Sequence, residues 1–324
     1  MAHVVTLESQ DIDDQAQALN GFRQTYEQLG RGRFRGQAWH LMSDPGFLLR
    51  EQTNRSLRQH FRPPADNVTV AIPLAVTRGS MFAGRPLERE SLLVLDCEQE
   101  YDLLSAGDLD VIGFSVHQRL LSALAPAKVE WLQRAQTENN VPLLPEAAAA
   151  IRSMLQAVSQ QAERDIGSLS EGGAEAALLS ATLTQTVMLA MAGDRADQVT
   201  HIPRRADTRL KVVKRALDYM RAHLHDDIGI AEICSAACAS RRSLQYCFEE
   251  FMHTTPQAYL RALRLNQARR ALKVADGQPI TALASELGFA SASHFTRHYK
   301  LMFDELPSET LKAYGLNPAG GTTL

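Results

Sequence analysis

Residues 230–251 read IAEICSAACASRRSLQYCFEEF and residues 280–303 read ITALASELGFASASHFTRHYKLMF. They are two versions of one pattern, about 50 residues apart. Each opens with a short helix whose apolar residues recur at helical spacing: Ile230, Ile233 and Ala237, then Ile280, Leu283, Ala284 and Leu287. Each then turns sharply. The second copy places Gly288 in the turn, where a left-handed backbone costs nothing; the first has Cys238 there. Ser240 and Ser291 are positioned to cap the helix that follows. That helix turns Leu244, Phe248 and Phe251, or Phe295, Tyr299 and Met302, inward. Its outward residues are Arg241, Arg242, Gln245 and Tyr246 in the first copy, and Ser293, His294, Thr296 and Arg297 in the second.

Such a pair of helices is suited to the major groove of DNA, where the first turns of the second helix present donors and acceptors to base edges. Arginine matches guanine and glutamine matches adenine. The outward residues are therefore the expected base contacts. Ser240, Ser291, Arg261 and Arg264 are the expected phosphate contacts, the serines because they stand at helix N-termini. Residues 256–275, PQAYLRALRLNQARRALKVA, read as a connecting helix with Pro256 in its first turn and Arg261, Arg264, Arg269 and Arg270 expected outward. A helix of about 18 residues is about 27 Å long. That approaches the roughly 34 Å between successive major-groove faces, so one chain could dock both pairs.

Upstream, the chain changes character. Its 324 residues suggest two domains. From Arg209 onward the net charge is +4 against −7 for the rest, so an acidic first part carries a basic last part. Residues 11–29 read as a helix interrupted at Gly21. Between Arg33 and Val116, short apolar runs such as FRGQAWHLM, GFLLREQT, VTVAIPLAV, SLLVLD and LDVIGFSV are punctuated by Pro, Gly, Asp or Asn, the signature of an antiparallel sheet or small barrel. Residues 145–165 and 174–192 read as an αα-hairpin turning at Gly172-Gly173. No apolar run approaches the roughly 18 residues that cross a membrane, and Met1 to Gln10 lacks the pattern of a secretory signal. Four cysteines suggest no disulfide framework, and a reducing cytoplasm is the expected setting.

The sum is an α+β protein. Residues 1–193 form an effector-binding and dimerisation domain, 194–208 a linker, 209–315 a double helix-turn-helix domain, and 316–324 a disordered tail. The stretches SRRSLQYCFEEF, PQAYLRALRLNQARRAL and ITALASELGFASASHFTRHYK with FDELPSE resemble the AraC/XylS family of bacterial transcription regulators. The resemblance covers residues 209–314. It implies a seven-helix DNA-binding domain, a cupin-like β-barrel sensor that binds a small effector and dimerises, and action as an activator on RNA polymerase at a catabolic promoter. YEQLGRGRFRGQAWHL, LREQTNRSLRQ and IPLAVTRGSMFAGRPL resemble the regulators of ethanolamine-utilisation operons. This second resemblance implies a small amine or alcohol as effector, with cobalamin as a further ligand. Trp39, His40, Arg50, Arg78 and Phe82, in the sheet-forming region, are the candidate effector-binding residues.

Other chemistry finds little support. His225-Asp226-Asp227 has no metal-ligand set around it, Cys234 and Cys238 have no further pair to complete a zinc site, and no catalytic motif is present. An effector-independent DNA-binding regulator is one alternative. A barrel enzyme fused to a DNA-binding domain, as in a DNA-repair methyltransferase, would need a reactive cysteine; Cys97, in LDCEQE, has no such context. A scaffold that binds only protein is a third.

Overall fold

The computed structural model describes residues 3–19, 21–42, 44–164, 174–195, 204–274 and 279–314. The expected turn at Gly172-Gly173, the middle of the expected linker (196–203) and the expected tail lie outside these residues. The chain divides into two units, 1–26 with 34–203, and 27–33 with 204–324. Residues 27–33, which the sequence places with the first domain, thus group with the second.

Alternating and continuous apolar runs build twelve strands among the described residues. They are β1 (His3–Ser9), β2 (Arg23–Gln28), β3 (Gly36–Met42), β4 (Gly46–Thr53), β5 (Leu57–Arg62), β6 (Asn67–Val76), β7 (Met81–Phe82), β8 (Arg85–Pro86), β9 (Ser91–Asp96), β10 (Tyr101–Ser105), β11 (Leu109–His117) and β12 (Asn140–Pro142). One sheet has the order β1-β3-β4-β11-β6-β9-β12 and the other β2-β5-β10-β7-β8. The strands thus form two open sheets and not the closed barrel expected. The sheets meet through side chains: Leu93, Leu95 and Val111 of the larger pack with Phe61, Phe82 and Leu103 of the smaller.

The other face of the larger sheet is covered by α3 (Pro145–Arg164) and α4 (Ala174–Gly193), after α1 (Ile12–Ala18) and α2 (Pro126–Glu138). Ile151, Leu155, Leu183 and Val187 of these helices share a core with Leu48, Val70, Ile112 and Phe114. A sheet buried on both faces explains the near-continuous apolar run of β6. Helix α4 is long and apolar enough to cross a membrane, contrary to the sequence reading, yet one side of it lies in this core. The helix expected over 11–29 ends at Ala18. Gly21 adopts a left-handed backbone (φ +81°), and the β-formers Thr25 and Tyr26 continue as strand β2.

In the second unit the described residues form seven helices: α5 (Arg204–Ala222), α6 (Ile230–Ala237), α7 (Arg241–Met252), α8 (Pro256–Lys273), α9 (Ile280–Glu286), α10 (Ala292–Phe303) and α11 (Pro307–Tyr314). Helix α5 starts inside the segment expected as linker. Helix α8 is central and buried nearly all round, through Tyr259, Leu260, Leu263, Leu265, Ala268 and Leu272 among others.

Candidate nucleic-acid interface

The two repeats fold as two tight helical pairs, α6–α7 and α9–α10, joined by α8. Their turns share one backbone conformation. Cys238 (φ +53°, ψ +44°) takes the left-handed state that Gly288 (φ +69°) takes in the second pair. The first turn therefore carries a strained non-glycine residue in the same place. Both capping serines act as expected: Ser240 Oγ accepts from the Ser243 N–H at 3.1 Å, and Ser291 Oγ from the His294 N–H at 3.1 Å. Each keeps its own hydroxyl proton to donate to a phosphate.

The caps set the outward faces. Arg241, Arg242, Tyr246, Ser293 and Arg297 are exposed, and Gln245, His294 and Thr296 are half-buried. Among the described residues no carboxylate or other partner engages Arg241, Arg242 or Arg297. Exposed guanidinium groups within the first two turns of two capped helices are a ready field for phosphates and base edges. Gln245 donates from Nε2 to Glu249 Oε1 at 2.7 Å, so a base would have to take this amide from Glu249. Arg209 of α5 braces the first helix. It donates to both Glu250 oxygens (2.7 and 2.8 Å) and lies 5.8 Å from the Tyr246 ring centre. That brace was not legible in the sequence, where Arg209 and Glu250 stand 41 positions apart.

On the second helix, His294 and His298 face each other through Nε2 at 2.9 Å, with Arg261 Nη1 3.4 Å from His298. Burial, and then the charges of Arg261, His294, Arg297 and Arg31, hold His298 below its ordinary pKa, so it is neutral at pH 7. His298 is therefore half-buried and partnered.

The connecting helix corrects the phosphate assignment. Arg264 is buried, and its Nη2 donates to the Asp226 carbonyl at 2.8 Å. Arg269 is also buried, paired with Glu305 and over the Phe303 ring. Helical spacing placed these arginines on one stripe, but α8 has helices against nearly all its faces, so the stripe points into the domain. Arg264 is a tie and not a phosphate contact; Arg261 remains half-exposed. The Arg264 guanidinium also packs on the second turn: a Cβ added at Gly288 would lie 2.8 Å from Nη1. Gly288→Ala is expected to cost about 1–2 kcal/mol from the backbone alone, and more from displacing Arg264. Urea unfolding of the variant would read this.

The five candidate effector residues do not form one site. Trp39 and Arg50 line a groove of about 270 Å³ between the larger sheet and α3, with Gln52, Gln160 and Glu163. The Trp39 Nε1 is buried there with no partner among the described residues, whereas Arg50 is already clamped by Asp110 at 3.0 and 2.7 Å. Arg78 is exposed beyond β6. Phe82 is fully buried, stacked on Tyr101. His40, next to Trp39 on the strand, points to the opposite face of the sheet. It is 1% exposed, lies against Phe47, and finds no hydrogen-bond partner among the described residues.

Burial lowers the His40 pKa to about 4. Its unfolded value is near 6.5, so the unfolded chain takes up the proton first. Stability is then full above pH 6.5 and falls as pH drops toward 4, by about 2–3 kcal/mol. Denaturant midpoints across that window should show the loss, and His40→Phe should remove most of it.

Comparison with known proteins bears on the second unit first. Residues 233–313 match the family described as "Helix-turn-helix domain". The chain is 33% identical over 101 residues to the "XylDLEGF operon transcriptional activator" of Pseudomonas putida, covering 31% of this chain and 32% of the relative. The match thus spans about a third of that relative's length. It is 25% identical over 312 residues to the "HTH-type transcriptional regulator GbdR" of Pseudomonas aeruginosa, covering 91% of this chain and 79% of the relative. A solved transcriptional regulator of AraC type from Chromobacterium violaceum aligns with 35% of this chain and 99% of its own at 28% identity, with a TM-score of 0.32. Residues 233–313 therefore form a helix-turn-helix domain, and the relatives that match the chain are named as transcription regulators.

Proposed function

We propose that this protein is a sequence-specific transcription regulator that reads promoter DNA with both helical pairs, responds to a small molecule held by its first unit, and activates a catabolic operon from the cytoplasm. The observation that carries the reading is the pairing of two capped helices with unneutralised outward arginines: Arg241 and Arg242 in the first turn of one, Arg297 in the second turn of the other. The name of the P. putida relative supports activation of an operon, which implies RNA polymerase as a partner; the family resemblance adds a homodimer as the functional form. The stretches resembling ethanolamine-operon regulators favour a small amine or alcohol as effector. The same resemblance keeps cobalamin as a further ligand.

Fluorescence anisotropy of the full chain on its own upstream intergenic DNA tests the reading. Specific binding should weaken steeply with salt, because phosphate-bound counterions are released on association. Arg242→Ala should cost about 1–3 kcal/mol and relax preference at one base position. Equal affinity for scrambled DNA would overturn the proposal.

A further inference from the structure

Between the two sheets of the first unit lies a small cavity of about 60 Å³ whose wall is almost wholly apolar, with Phe22, Phe61, Leu93 and Leu103 among its residues. One group on that wall does not fit an apolar interior. Glu51, on β4, points inward and is only 7% exposed. Its Oε1 accepts from Gln15 Nε2 at 3.0 Å and from the Tyr26 hydroxyl at 2.7 Å. Its Oε2 receives only a long contact, 3.4 Å, from Gln59 Nε2. Among the described residues no Lys, Arg or His forms an ion pair with it.

A carboxylate so placed is costly. Taken from water without a cation it either binds a proton or acquires a counter-ion. Burial does raise the Glu51 pKa, but the three neutral donors around it all favour the charged form. The neighbouring wall supplies the remaining half of a cation site. The Phe22 and Phe61 rings, 6.0 Å apart and inclined at 59°, both line the cavity, and an aromatic face attracts a desolvated ammonium. We infer that this cavity binds a small organic ammonium ion, with Glu51 as its counter-ion and the Phe22 and Phe61 rings against its carbon atoms.

This site is distinct from the outer groove of Trp39 and Arg50, which lies across the sheet and is polar. The inference sharpens the sensor reading of the first unit, and its consequence for DNA rests on that reading, but ligand binding can be measured without DNA.

Isothermal titration of the full chain at pH 7.5 with methylammonium, ethylammonium and tetramethylammonium chlorides tests it, with sodium chloride at matched ionic strength and tert-butanol as the neutral probe. At least one ammonium ion should bind saturably, and tighter than tert-butanol. Glu51→Gln, which keeps the shape and the hydrogen bonds accepted from Gln15 and Tyr26, should weaken that ion at least tenfold while leaving tert-butanol unchanged. Phe61→Leu should weaken it several-fold and serves if the Glu51 variant does not fold. Absence of saturable binding by all three ions, tighter binding of tert-butanol, or unchanged ammonium affinity in the folded variants would overturn the inference. The same titrations repeated on DNA-bound protein separate the two readings. Ammonium binding with no effect on DNA affinity leaves the site intact and defeats the sensor.

Discussion

Phe295→Ala should cost the second unit about 3–5 kcal/mol, the range for emptying a fully buried aromatic position. Phe295 has no exposed surface and lies at the centre of the cluster formed by α8, α9, α10 and α11. Its ring meets Phe289 at 5.1 Å and 67°, and Tyr299 at 5.6 Å and 56°, both arrangements that aromatic pairs favour. Phe289 holds the turn before the second outward helix and Tyr299 holds its body, so the cavity left by alanine loosens both ends of that helix. Leu301→Ala on the same helix is the matched control. Leu301 is 45% exposed, and its loss should stay within about 0.5 kcal/mol. Denaturant midpoints of the two variants check the contrast, and similar losses would mean that α10 is not packed as described.

A loss of up to about 3–5 kcal/mol is expected from Glu27→Ala, because breaking a part-buried ion pair from one side strands the other partners. Glu27 belongs to the segment 27–33 that groups with the helical unit. Arg221 Nε and Nη2 donate to its Oε1 at 3.0 Å each, and Nη2 reaches Oε2 at 3.1 Å. The fully buried Tyr259 hydroxyl also donates to Oε2. Burial and the Glu27 charge hold the Tyr259 pKa well above its ordinary value, so this hydroxyl keeps its proton and needs an acceptor. Beside it, Asn266 exchanges hydrogen bonds with the Gln28 backbone at 3.1 and 2.9 Å. Tyr259→Phe alone should cost less, since Glu27 keeps Arg221. In the double variant the two losses should fall well short of adding, the signature of a shared network. Additive losses would show that the triad is not energetically coupled.

How much of this was readable from the residues differs between the two halves. The helical pairs were legible down to their caps, because Ser240, Ser291 and Gly288 carry local chemistry that acts through neighbouring backbone. The burial of Arg264 and Arg269 was not. Periodicity marks a stripe on a helix but not which stripe meets solvent, and α8 is enclosed. Segment 27–33 was missed for a related reason. Nothing local ties Glu27 to Arg221, 194 positions away. In the first unit, short runs such as GFLLREQT suggested a sheet or small barrel, but not that the larger sheet is covered on both faces. Arg50 and Glu51, adjacent in sequence, consequently lie on opposite sides of it, and the more informative of the two for a ligand was the one passed over. The two-residue strands β7 and β8 and the three-residue β12 carry too few residues for a period to register.

Both helical pairs of one chain are proposed to read DNA. Selection of bound fragments from a randomised duplex library, run in parallel on the native protein, on Arg242→Ala with Gln245→Ala, and on Arg297→Ala with Thr296→Ala, tests it most directly. The native protein should return a motif of two blocks about one helical turn apart, and each variant should lose one block and keep the other. A motif that survives unchanged in either variant would contradict the claim.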